Sequence, residues 1–182
     1  MAVGDGGADD STPTAAPSTD SKAGTPAATP TAAATPFGNE GHEVLRGNVE
    51  AGNAAEQAVA DTWFAYWTAR LNSYGEVAVD PSLGSVAAVE ALSDVVGYVN
   101  LLRSKKLHTV GDSKFGVTNI EVQGTGATLD SCMVNKSVDQ REDGSNAEVF
   151  TPFYVLKGTL SQVAGKWRVV RVESVGKDRC QA

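Results

Sequence analysis

No aromatic residue, no leucine and no isoleucine occurs in the first 36 positions of this chain. A segment with so little to bury cannot offset its ordering entropy, which excludes a packed core there. Long apolar runs are also missing, so no stretch is suited to spanning a bilayer as a helix. The opening Met1-Ala2-Val3-Gly4-Asp5-Gly6 has neither the basic start nor the apolar core of a signal peptide. It reads as a cytosolic protein or as a mature form with an initiator Met. Basic residues are outnumbered, 15 Lys and Arg against 22 Asp and Glu, giving a net charge of -7. This excludes nucleic acid as a partner, because phosphate binding rewards clustered cations. The nearest basic cluster, Arg103, Lys105 and Lys106, falls at the end of a predicted helix, where cations complement the dipole.

Histidine and cysteine are scarce, two of each. His42 and His108 with two thiols do not make a metal-binding spacing, and no metal or other cofactor is expected. Gly-rich phosphate loops and nucleophile elbows are absent; Gly111, Gly116, Gly124 and Gly126 punctuate strands. An even cysteine count, Cys132 and Cys180, suggests a disulfide, with buried free thiols or a reactive thiol as alternatives. A bridge closing that loop is worth about 4 kcal/mol in the chain-entropy description.

What is present divides in two. Residues 1–36 hold ten Ala, seven Thr and five Pro, and read as a disordered tether spanning on the order of 30 Å. Such a composition also permits O-glycosylation. Residues 37–182 hold all twelve aromatic residues and suit one domain. Residues 37–50 are polar and give no clear element.

The periodicity predicts a helix over Asn53–Tyr74. Val59, Trp63, Tyr66, Trp67 and Arg70 form one wide face, Asn53 and Glu56 a capping box, and Gly75 a C-terminal cap. Shorter helices are predicted over Ser85–Leu92 and Val95–Lys106. The period then shifts to two. Strands are predicted over Leu107–Phe115, Val117–Val122, Ala127–Val138, Val149–Val163 and Trp167–Val175, with Asp139–Ser145 as a charged hairpin tip and Ala164-Gly165-Lys166 as a tight turn. The order is α+β: N-terminal helices packed on a curved antiparallel sheet of four to five strands.

This arrangement resembles the NTF2-like superfamily, the cystatin-like α+β cone that includes ketosteroid isomerases and polyketide cyclases. More narrowly, it is similar to small secreted actinobacterial lipoproteins and Mce-associated proteins. The residues carrying the resemblance are the Thr/Ala/Pro tether and the aromatic first helix Ala58-Val59-Ala60-Asp61-Thr62-Trp63-Phe64-Ala65-Tyr66-Trp67. To these add Asp130-Ser131-Cys132, the final strand Gly165-Lys166-Trp167-Arg168-Val169-Val170, and Cys180. The resemblance implies a Cys132–Cys180 bridge from sheet to C-terminal tail and a place on the outer face of a cytoplasmic membrane. A membrane attachment would then run only through an N-terminal lipid; the cysteine to carry it is absent, Met1 standing in that place.

Enzymes of that superfamily use an Asp or Asp-His pair inside the cone, sometimes with a Tyr donor. The candidates here are His108, Asp112, Asp130, Tyr66, Tyr98 and Tyr154. His108 and Asp112, four apart on a predicted strand, stand about 13 Å from each other, too far for a dyad. No catalytic residue is expected. The leading expectation is a non-enzymatic extracytoplasmic interaction module with an envelope or membrane protein partner, in an accessory or phage-type exclusion role. The alternatives are a carrier of an apolar small molecule, its cone lined by Trp63, Trp67, Tyr98, Phe153 and Trp167, and a SnoaL-like isomerase or cyclase. An open pocket of several hundred Å³ would favour the carrier.

Overall fold

The structure, a computed structural model, describes residues 42–147 and 151–182. The tether expected over 1–36 lies outside the described residues. Seven strands and three helices follow in the order β1(Val44–Val49), α1(Ala54–Gly75), α2(Leu83–Val86), α3(Val89–Lys105), β2(Leu107–Val110), β3(Ser113–Gln123), β4(Gly126–Asn135), β5(Val138–Arg141), β6(Phe153–Val163) and β7(Lys166–Gly176). The main sheet has five strands in the order β1-β3-β4-β6-β7, and β2 pairs with β5 in a separate two-stranded sheet. All pairings are antiparallel except β1 on β3. The α+β arrangement expected from the sequence is therefore present, with helices on one face of a mostly antiparallel sheet.

Helix α1 begins where its cap dictates. The Asn53 side chain accepts from the backbone N–H groups of Ala55 and Glu56, satisfying donors that a helix start leaves orphaned. Glu56 reaches back to the N–H of Gly52, one residue before the cap. The aromatic stripe is then buried: Trp63, Tyr66 and Phe115 are among the largest fully buried side chains. Trp67 lies 4.6 Å, centroid to centroid, from Phe115 of β3. Trp63 donates to Ser131 Oγ of β4 at 3.2 Å, and that hydroxyl donates to the Gly116 carbonyl at 2.7 Å. The indole of Trp63 also presses on Gly158 of β6, where a Cβ would stand 2.6 Å from Cζ3.

Several predicted boundaries move. Gly75 is not a left-handed cap: it is the last helical residue, and the C-cap Glu76 is right-handed, with φ -83°. The His42 ring needs the space at Gly75, since a Cβ there would lie 1.9 Å from Cε1. The two short predicted helices become a four-residue α2 and one longer α3 running from Val89. The first predicted strand breaks at Gly111, with φ +95°, so that β2 leaves for the second sheet while β3 runs unbroken through Gly116. Residues 37–50 contain β1, an unpredicted parallel edge strand. The turn expected at Ala164-Gly165-Lys166 is present but takes two residues, since Lys166 opens β7: Ala164 and Gly165 both have positive φ, the type I′ geometry that matches strand twist.

In β4 the residues facing the helices alternate strictly with those on the outer face. Cys132 belongs to the outer set and is bonded to Cys180. The C-terminal residues therefore cross the outer face of the sheet. They pass so close that a Cβ on Gly116 would lie 2.8 Å from Ala182 Cα, and one on Gly47 2.3 Å from its carbonyl carbon. Two glycines on neighbouring strands thus make the track for this strap.

Candidate functional site

Between the C-terminal half of α1, the helix α3 and the inner face of the sheet lies a cavity of about 370 Å³. Its apolar wall includes Leu71, Met133, Val138, Leu156 and Val172. Its polar groups are Arg70, Asp94, Thr109, Asn135, Ser137, Asp139, Thr151 and Ser174, and the aromatics are Trp67, Tyr74, Tyr98 and Tyr154. A space of this size suits a ligand of about ten to fifteen non-hydrogen atoms at protein-like packing density.

The helical repeat places Trp67, Arg70 and Tyr74 at i, i+3 and i+7, one stripe of α1. The Arg70 guanidinium sits in an aromatic box, 4.7 Å from the Trp67 centroid, 5.4 Å from Tyr74 and 5.9 Å from Tyr66. Its Nη1 donates to the Tyr66 hydroxyl at 2.8 Å. None of the ion pairs among the described residues includes it. Its Nε, the Trp67 Nε1 and the Tyr74 hydroxyl are buried without a hydrogen-bond partner among the described residues. Tyr74 lies beside Arg70, yet the two do not complete a hydrogen bond of good geometry.

Asp139 stands on the opposite wall. It accepts from the Tyr98 hydroxyl and from Thr109 Oγ1, the latter at 2.7 Å, so each carboxylate oxygen is tied to a neighbouring hydroxyl. Asn135 closes the floor, accepting from the N–H and hydroxyl of Ser137 and donating to the Thr151 carbonyl.

Burial pushes the Tyr74 hydroxyl up to about 12, against a smaller opposing pull from Arg70. Burial moves Tyr66 in the same direction. Both phenols are therefore neutral donors at neutral pH. Because the unfolded phenol ionises near pH 10, the native state holds its proton longer, and stability falls as pH rises from about 10 towards 12. Tyr74→Phe is expected to flatten that fall in thermal midpoints measured from pH 8 to 11.5. An alkaline loss identical to that of the unsubstituted protein would contradict the assignment.

The sequence-selected residues are dispersed. Of the five aromatics proposed to line the cone, Trp67 and Tyr98 line this cavity and the other three do not. Trp63 is fully buried under the sheet. Phe153 pairs with Val134 and so shares the outer face, one residue out of step with Tyr154, which pairs with Met133 and reaches the cavity. Trp167 lies in the β6–β7 hairpin opposite Gln162, half-buried against the core. Among the acid–base candidates, Tyr98 and Tyr154 line the cavity and Tyr66 underlies it. Asp130 accepts from Asn119 on the outer face, Asp112 accepts from the Glu43 N–H, and His108 is buried in β2. Arg70, Tyr74, Asp94 and Asp139 were not read as site residues from the sequence. Arg70 carried a signal, being the one charged residue on the aromatic stripe. No group of His, Cys, Asp or Glu able to hold a metal occurs among the described residues.

No family model matches the chain, and no curated protein matches it. Among solved structures, the intermembrane space region of the chloroplast protein ARC6 is similar, with a TM-score of 0.54 and 13% identity, over 67% of this chain and 97% of that one. An NTF2-like protein of unknown function from Shewanella oneidensis MR-1 aligns with a TM-score of 0.40 and 11% identity, over 62% of this chain and 95% of that one. At such identity the first likeness bears on fold alone. The first likeness agrees with the α+β architecture described above. The narrower resemblance to actinobacterial lipoproteins and Mce-associated proteins finds no support among these neighbours.

Proposed function

We propose that this protein is a non-enzymatic carrier that holds one small amphipathic molecule inside its cone. The observation that carries this reading is the 370 Å³ cavity between α1, α3 and the sheet, walled by apolar side chains and a few convergent polar groups. The aromatic residues of the sequence do not fill the cone; Trp63 and Trp167 pack elsewhere. We rank the carrier above the interaction module expected first. Of the large apolar side chains exposed among the described residues, Val89, Val96 and Leu101 lie on α3, while Leu45, Val79, Val163 and Val175 lie apart on other segments.

The carrier reading also goes before an isomerase or cyclase. A general base needs an oxygen poised at the substrate. Of the two carboxylates on the cavity, Asp139 has each oxygen engaged by a hydroxyl of the protein, and Asp94 on α3 is exposed to water. We place the carrier outside the cytoplasmic membrane, at the cell envelope. The disulfide supports this, because such bonds persist in oxidising surroundings. No helix among the described residues is long and apolar enough to cross a membrane. Attachment through an N-terminal lipid belongs to the same proposal.

Titration with n-decanol, followed by the heat of binding, tests the reading. Saturable binding at one site is expected, and Val172→Trp, which fills the cavity from β7, should abolish it. Weak, non-saturating uptake that Val172→Trp leaves unchanged would contradict it.

A further inference from the structure

We infer that the natural ligand is a medium-chain carboxylate, seated with its acid group at Arg70 and its chain along the apolar wall; this rests on the carrier reading above. A guanidinium taken from water without a counter-charge is costly. The surrounding rings return part of that cost by cation–π attraction, and the Tyr66 hydroxyl accepts one bond. What remains unmet is concentrated at one end of the cavity. Arg70 Nε, Trp67 Nε1 and the Tyr74 hydroxyl are three buried polar atoms on one helical stripe without a hydrogen-bond partner among the described residues. Buried polar atoms are almost always satisfied, so three together beside a cavity mark the place of an absent partner. Arg70 Nε and Trp67 Nε1 can only donate, the Tyr74 hydroxyl can donate as well as accept, and the guanidinium is a fixed cation, so the matching group is an anion.

A planar guanidinium fork matches a carboxylate in geometry as well as charge. The apolar groups Met133, Leu156 and Val172 line the rest of the space, which suits an alkyl chain. The volume limits the whole molecule to about the size of decanoate. The cavity also holds two acidic groups. Asp139 is tied by Tyr98 and Thr109, and Asp94 of α3 makes no ion pair with Arg70. A cationic head drawn to Asp94 is the rival arrangement, and the test includes it.

The experiment compares decanoate, decanol and decylamine by isothermal titration at pH 8, on the unsubstituted chain, Arg70→Met and Arg70→Lys. Decanoate should bind roughly tenfold or more tighter than decanol, as a charge-assisted pair of this kind provides. Arg70→Met should remove that preference while decanol still binds, and Arg70→Lys should keep part of it. Asp94→Asn, which needs no change in the core, should strengthen decanoate binding. Equal binding of decanoate and decanol overturns the carboxylate assignment and leaves the carrier intact. A preference for decylamine that Asp94→Asn abolishes overturns it in favour of the rival. Failure of all three probes to bind overturns the carrier reading together with it.

Discussion

Removing the Cys132–Cys180 bridge is expected to lower the free energy of unfolding by about 4 kcal/mol, the chain-entropy value for a loop of this length. The two cysteines are 48 residues apart in sequence, and the loop they close contains β5, β6 and β7, with the strap residues 181 and 182 following directly after it. The cross-link therefore acts mainly on the unfolded chain, which loses the freedom of a large segment. It also acts on the native state, because the strap lies in the track made by Gly47 and Gly116 and the bridge holds it there. Guanidinium unfolding of the Cys132→Ser, Cys180→Ser double variant, compared with the oxidised protein, measures the loss. The same shift should follow from reductant alone. A shift below about 1 kcal/mol would mean that the strap and loop are held without the bridge.

Gly158→Ala is expected to cost about 2 kcal/mol, the scale of overpacking in a closed core. An added methyl would meet Trp63 Cζ3 at 2.6 Å and Leu129 Cδ1 at 3.1 Å. Trp63 cannot withdraw, being fully buried and bonded to Ser131. The clash is with the six-membered ring of the indole, so Trp63→Phe should relieve it. In that background the Gly158→Ala cost should drop to less than half, a coupling that a double-mutant cycle in urea reads directly. Additive costs would show that the glycine serves the strand backbone and not the helix above it.

The sequence made the first helix, the hairpin turn at Ala164-Gly165 and the helix-then-sheet order legible, because each rests on a local signal. A capping side chain, a 3.6-residue aromatic repeat and two residues with positive φ need no distant partner to be read. The misread parts depend on pairing across the chain. β1 is short, its alternation is interrupted by Arg46 and Gly47, and its parallel partner begins nearly seventy residues away, at Ser113. Asp139 sits in Asp-Gln-Arg-Glu-Asp-Gly, which has the composition of a turn. Its pairing with Thr109 of β2 draws it into a strand and onto the cavity wall. Phe153 shows how a register set by β4 decides which face an aromatic residue reaches. At the site, the aromatic stripe correctly pointed Trp67 inward. The significance of Arg70 in the same stripe emerged only with its neighbours in place, since a long cation on a helix more often reaches back to water.

The most direct measurement of the central claim is a crystal structure of the protein grown with decanol. One ordered chain is expected between α1 and the inner face of the sheet, in contact with Trp67, Met133 and Val172, with the walls unmoved. Tyr98, Met133 and Leu156 closed together over the same space, with no room left for a guest, would contradict it.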